Sequence, residues 1–134
     1  MAKTTTQSKN GLEALLGATL DVQDTVYIPR LKTHFTVKAL DQAEMTRARD
    51  QATIPTRKGE KDVDGQLLNA VLIAKGCVDP DFSDKALIAH YGATDAADCV
   101  AKALLPGEIA KVFAAIMKLS GFDDEDELIE DAKN

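Results

Sequence analysis

Residues 64–76 read DGQLLNAVLIAKG, and Leu67, Leu68, Ala70, Val71, Leu72, Ile73 and Ala74 cover nearly the whole circumference of the helix they would form. A helix that is apolar all round is stable only when other elements surround it, so this segment is expected at the centre of the fold. Asp64 stands at its capping position, Val63 and Leu68 at the two ends of a hydrophobic staple, and Gly76 where a helix commonly stops. The rest of the chain must supply the layers around it.

Toward the C-terminus, DPDFSD, YGAT and LPGE punctuate three further helices, over about 83–91, 94–104 and 106–120. The first carries Leu87 and Ile88; the second carries Val100 and Leu104 with Thr94 as its cap. In the third, Pro106 suits the first turn, and Ile109, Val112, Phe113, Ile116 and Leu119 keep helical spacing. Gly121 supplies a left-handed stop, after which Phe122 can pack back on Met117.

Toward the N-terminus, TIPTRKGEKD (53–62) has a proline, a glycine, three cations and no apolar period, and reads as an exposed mobile loop. Before it, Asp41 and Glu44 form a capping box and Leu40 and Met45 a staple for a mostly polar helix over 41–52. Over 25–39 the period changes to two. Val26 and Ile28 alternate, then Phe35, Val37 and Ala39 alternate against His34, Thr36 and Lys38, which indicates a hairpin turning near Leu31–Thr33. Pro29 lacks a ladder donor, so its strand belongs at an edge or a bulge. A short helix over 10–17 has Asn10 as cap and Leu12, Leu15 and Leu16 on one face, a stripe that must dock somewhere. Residues 1–9 are polar and expected to fray.

At 134 residues the chain is the size of one domain. The expected class is mostly α with a small β-hairpin (α+β), a compact helical domain over 10–122 between a flexible N-terminus and an acidic tail at 123–134. Seven carboxylates lie between Asp123 and Asp131; without them the formal charge changes from −6 to +1. The acidity therefore belongs to the tail. A near-neutral body offers no electrostatic footprint for phosphate, so no nucleic-acid partner is expected. No apolar run has signal-peptide or membrane-spanning length, which points to the cytoplasm and to no membrane partner.

Chemistry-bearing patterns are weak. DPDFSDKALIAH (79–90) mimics the start of a calcium loop, but Asp84 stands where a sharp turn wants glycine and His90 where a bidentate Glu is needed. His34, His90, Cys77 and Cys99 have no knuckle or helix-face spacing, and both cysteines read as members of apolar helices. No nucleophile elbow, phosphate loop or dinucleotide fingerprint occurs. No metal, no cofactor and no enzymatic activity are expected. What remains is a binding or assembly module.

The order VYIPRL, HFTVKALDQAEM, LLNAVLIAKGCVDPDFSDKALIAHYGA, DAADCVAKALLPGEI and AAIMKLSGF resembles the tail assembly chaperones of contractile-tailed phages and prophages of Gram-positive bacteria, the XkdN-like family. The match runs from about Leu12 to Phe122. The resemblance implies a non-catalytic protein of the host cytoplasm, absent from the finished virion, that coats the tape-measure protein, keeps it soluble and recruits tail-tube subunits; self-association is compatible with it. It assigns no contact residues. From the residues alone, the candidates are the stripe of Leu12, Leu15 and Leu16, for which core packing is the first expectation and partner binding the second, and Arg57 and Lys58 in the 53–62 loop. The resemblance also implies a family whose members make short and frameshifted long forms. One coding of Ala132, Lys133 and Asn134, GCA AAA AAC, contains a slippery heptamer, and on that reading this chain is the short form. The rival reading is a small regulatory module whose acidic end docks to a basic partner.

Overall fold

The computed structural model describes residues 10–122; the expectations for the N-terminus and the acidic tail lie outside the described residues. Helix α1 (Gly11–Leu16) is capped by Asn10, whose Oδ1 accepts from the Glu13 backbone N–H at 2.8 Å. The alternating segment forms antiparallel strands β1 (Gln23–Ile28) and β2 (Thr33–Lys38), in register from Gln23 opposite Lys38 to Ile28 opposite Thr33. Val26, Ile28, Phe35 and Val37 are buried, whereas Tyr27 and His34 stay outside with rings 4.9 Å apart. Pro29 ends β1 and opens a tight 3-10 turn, Pro29–Leu31, closed by Lys32 at φ +53°. The strand before the proline is an edge strand, because in its three-stranded sheet β2 lies in the middle, between β1 and the short strand Cys77–Asp79. On that outer edge, Lys111 Nζ donates to the Tyr27 carbonyl at 2.7 Å and the Thr25 N–H donates to Asp24 Oδ1 at 2.8 Å.

Helix α2 (Gln42–Gln51) has the expected capping box: Glu44 N–H donates to Asp41 Oδ1 at 2.8 Å, and Asp41 N–H donates to Glu44 Oε1 at 3.1 Å. Leu40 is buried and Met45 packs against the core. The mobile loop expected over 53–62 is instead a second small hairpin, β3 (Thr53–Pro55) with β4 (Lys61–Val63). Its turn is closed by Thr56 N–H to the Glu60 carbonyl at 2.6 Å, with Gly59 at φ +82°, a value that suits glycine. Asp64 N–H donating to the Ala52 carbonyl at 2.8 Å ties its far end to the end of α2. Backbone pairing, which a polar composition conceals, orders this segment.

Helix α3 (Gly65–Gly76) is the central element, packed against α2, α5 (Ala96–Ala103), α6 (Pro106–Leu119) and strand β5 (Cys77–Asp79). Asp64 caps it as expected, accepting from Gln66 and Leu67. The helix ends at Gly76 as expected, with Gly76 as its last helical residue, and a Cβ there would lie 2.7 Å from Ile116 Cδ1. Glycine is needed for the close approach of α3 and α6. Cys77 is not helical: it begins β5, which pairs antiparallel with β2 through Val37 opposite Cys77 and Thr36 opposite Asp79, with an irregularity between them.

Helix α4 (Lys85–Tyr91) begins two residues after its expected start because Asp84 caps it, accepting from Ala86 and Leu87. Helix α5 is capped by Asp95 rather than Thr94; the Asp98 N–H donates to Asp95 Oδ1 at 2.8 Å, while Thr94 donates through its backbone to Asp98 Oδ2 at 2.9 Å. Helix α6 lies across β1 and β2 and closes with Gly121 at φ +98° and the Phe122 N–H on the Met117 carbonyl. Val112 and Ile116 are fully buried in the cluster that joins sheet and helices, where Phe35 meets Phe82 edge-on at 6.3 Å. The class is α+β.

Candidate interaction surfaces

The clearest departure from the sequence-based expectation is at α1. Leu12, Leu15 and Leu16 do not enter the core; they are 67%, 78% and 78% exposed. The helical spacing that suggested core packing is present, but α1 contributes no residue to the buried cluster. Among the described residues the chain from Gly17 to Asp21 makes no backbone hydrogen bond to the body, although Leu20 borders a small hollow with Leu40 and Leu119, and the first backbone tie is the Val22 carbonyl, which accepts from Ala39 N–H at 2.8 Å. Leu20, also exposed, extends the same apolar arm. An exposed apolar cluster of this kind is normally a contact surface.

At the opposite, closed end of the β1–β2 hairpin lies an open groove of about 280 Å³, lined mainly by apolar groups that include Leu31, Phe35, Phe82, Leu87, Tyr91 and Leu104. The sequence reading missed it, because its wall is assembled from the hairpin turn, α4 and the α5–α6 junction. Arg30 locks that junction. Its Nε and Nη2 donate to Glu108 Oε2 and Oε1 at 2.7 and 2.8 Å, and Nη2 also reaches the Ala103 carbonyl at 3.1 Å. The Arg30 hydrogen bonds, then the Leu105 N–H, hold the Glu108 carboxyl below the ordinary glutamate range. A third surface is a cleft of mixed polarity, about 550 Å³, between α2, α3 and α5, lined by Lys75 and Asp95 together with the apolar Leu67 and Val71.

Arg57 and Lys58 sit at the exposed tip of the β3–β4 hairpin. No hydrogen bond or ion pair among the described residues joins them to the leucines of α1, so the candidates form two separate features. Metal chemistry has no support in the geometry: among the described residues no group of three or more His, Cys, Asp or Glu could hold an ion. The calcium-like register is a helix start in which Asp81 accepts from Ser83 and Asp84 caps α4. Burial pushes the Cys77 thiol up to about 12, and Cys99 is raised by the same cause, so both are poor nucleophiles. Among the described residues no helix is long and apolar enough to cross a membrane.

The architecture has a solved counterpart. A crystal structure of the protein yqbn superposes with a TM-score of 0.65 at 19% identity, over 86% of this chain and 98% of that one, a likeness of fold. No curated protein matches the sequence. A family model for the phage XkdN-like tail assembly chaperone protein matches residues 12–133, a span that begins at the first leucine of the exposed arm and takes in every strand and helix of the described residues but the first residue of α1. The chain belongs to the phage XkdN-like tail assembly chaperone family.

Proposed function

We infer that this chaperone acts by holding apolar, amphipathic helices of the tape-measure protein, keeping them soluble and presenting them to tail-tube subunits. It works in the host cytoplasm, without catalysis, and does not remain in the virion. The observation that supports this most directly is the uncovered leucine arm of Leu12, Leu15 and Leu16, far more exposed than an intramolecular role requires. Helices present such side chains at i, i+3 and i+4, the spacing with which an amphipathic partner helix interdigitates. The cationic tip of Arg57 and Lys58 is a second candidate contact, suited to an acidic segment of either partner.

Co-expression tests it. A tape-measure fragment expressed alone is expected to aggregate, and this chain in excess is expected to bring it into solution as a complex that survives gel filtration. Leu12→Ser with Leu16→Ser is expected to abolish that rescue while leaving the chaperone folded, because neither side chain is in the core. A fragment that stays insoluble with the wild-type chain in excess, with no complex formed, refutes the assignment of this client.

A further inference from the structure

The cleft between α2, α3 and α5 has a floor of Leu67, Val71, Ala74, Ala96 and Ala97, with the half-buried Lys75 beside it. We propose that it is the seat of this chain's own acidic segment, residues 123–134, with Leu128 and Ile129 on the apolar floor and the flanking carboxylates against Lys75 and Arg47. The inference is independent of the client reading above, which rests on other surfaces.

Position favours this occupant. Ser120 Oγ accepts from the Leu40 N–H at 2.9 Å just ahead of α2, and Gly76 at the end of α3 is in contact with Ile116 of α6. The end of α6 therefore lies where α2 begins and α3 ends, and Ala74 and Lys75 of the cleft immediately precede Gly76. Phe122 is six residues past Ile116, at most about 9 Å of helical rise, and its N–H is tied back to the Met117 carbonyl. From Phe122 to Leu128 and Ile129 the chain can span roughly 20–25 Å when extended. That reach brings both side chains to Ala74 and Val71 without moving α6. The span shared with the family runs to residue 133 and so includes the segment.

Charge matches as well. Among the described residues neither Lys75 nor Arg47 has an ion pair. Arg47 stands four residues before Gln51, on the face of α2 that lines the cleft. A partly desolvated ammonium attracts a carboxylate more strongly than one in open water does. The segment supplies Glu127 and Glu130 on either side of Leu128 and Ile129. Asp95, the one acid on the lining, accepts from the Asp98 N–H, and its counterpart in the segment is Lys133, the one cation there. Three alanines on the floor leave depth for two large side chains. Leu128 and Ile129 stand among seven like charges, and a cationic wall is what lets that pair approach an apolar floor at all.

The experiment is paramagnetic broadening in the full-length chain, with a nitroxide on Ala132→Cys; Cys77 and Cys99 are buried and do not compete for the label. Amides of 67–75 and 95–97 are expected to broaden far more than those of α1 or of the β3–β4 tip. Leu128→Ser with Ile129→Ser, which alters no described residue, is expected to abolish the effect. Lys75→Glu is expected to cut it to about half or less, with circular dichroism checking that the variant is folded. Labelled chain without isotope, mixed with unlabelled enriched chain, is expected to leave the cleft amides sharp, because the segment seats on its own chain. A cleft that stays sharp in the labelled chain overturns the proposal, as does broadening spread evenly over all surfaces. Broadening between copies, or broadening that neither variant reduces, overturns it too. Rescue of a tape-measure fragment takes no part in this readout, so loss of one reading leaves the other standing.

Discussion

Replacing Gly76 by Ala tests the close crossing of α3 and α6. An alanine Cβ at this position would lie 2.7, 2.9 and 3.0 Å from Cδ1, Cγ2 and Cγ1 of Ile116, whose side chain is fully buried. Three contacts on one side chain leave it no simple rotation of escape, so either the helices part or Ile116 leaves its preferred rotamer. Overpacking of this kind costs about 1–3 kcal/mol. Against it stands the better helix propensity of alanine, worth up to about 1 kcal/mol in a helix interior and less at a last turn. The expected net is a loss of about 1–2 kcal/mol, since the steric cost exceeds the propensity gain. Ile116→Val, which removes only the nearest clashing atom, should cost about 1 kcal/mol in the wild-type background. In the Gly76→Ala background it should cost little or nothing, a coupling of roughly 1 kcal/mol that marks two residues in direct contact. Urea unfolding of the four proteins, followed by circular dichroism, measures the cycle. A Gly76→Ala protein more stable than wild type, or two substitutions whose effects simply add, would show that the glycine serves helix ending and not helix approach.

Ser120 offers an independent test. Its Oγ accepts from the part-buried Leu40 N–H at 2.9 Å and donates to the Ile116 carbonyl at 2.7 Å, tying the end of β2 to the end of α6. Ser120→Ala should lower stability by about 1–2 kcal/mol through the unpaired Leu40 amide; no loss in urea unfolding would mean that solvent satisfies that amide. At Glu108, the pKa lies below its unfolded value because of Arg30, so its contribution to stability is complete above the ordinary glutamate range and is lost as pH falls through the lowered native value. Glu108→Gln should therefore flatten the acid limb of stability against pH relative to wild type; an unchanged acid limb would show that the Arg30 pair contributes nothing.

Local chemistry was readable in the chain itself. The Asp41–Glu44 box, the Asp64 cap and the Gly121 stop are each settled within four residues, and the structure has all of them. The all-apolar face of 64–76 likewise marked α3 as central. Strand β5 was not readable, because Cys77 to Asp79 has no period of its own and is extended only by pairing with β2 across some forty residues of sequence. The β3–β4 hairpin was hidden similarly by its charges. At the candidate surfaces, the stripe of Leu12, Leu15 and Leu16 was visible but its destination was not. Helical spacing reports that a face is apolar, and it does not say which chain covers that face. The groove was invisible for a geometric reason: Leu31, Phe82 and Tyr91 are neighbours only after folding.

The outer edge of β1 has a consequence for how copies can meet. An edge strand ordinarily offers its unused amides and carbonyls to any extended chain, and that is how sheets grow into fibres. Here the Tyr27 carbonyl is covered by the Lys111 ammonium, and the Thr25 amide, two residues earlier and so directed the same way, is turned onto the Asp24 carboxylate. An incoming strand would have to displace a cation at one position and an anion at the next, giving up two charge-assisted hydrogen bonds before forming its first. Lys111→Ala would expose the ladder at Tyr27. In a tail assembly chaperone, whose family role is to meet other chains, that lysine turns contacts at this edge toward side-chain packing and away from backbone zippering.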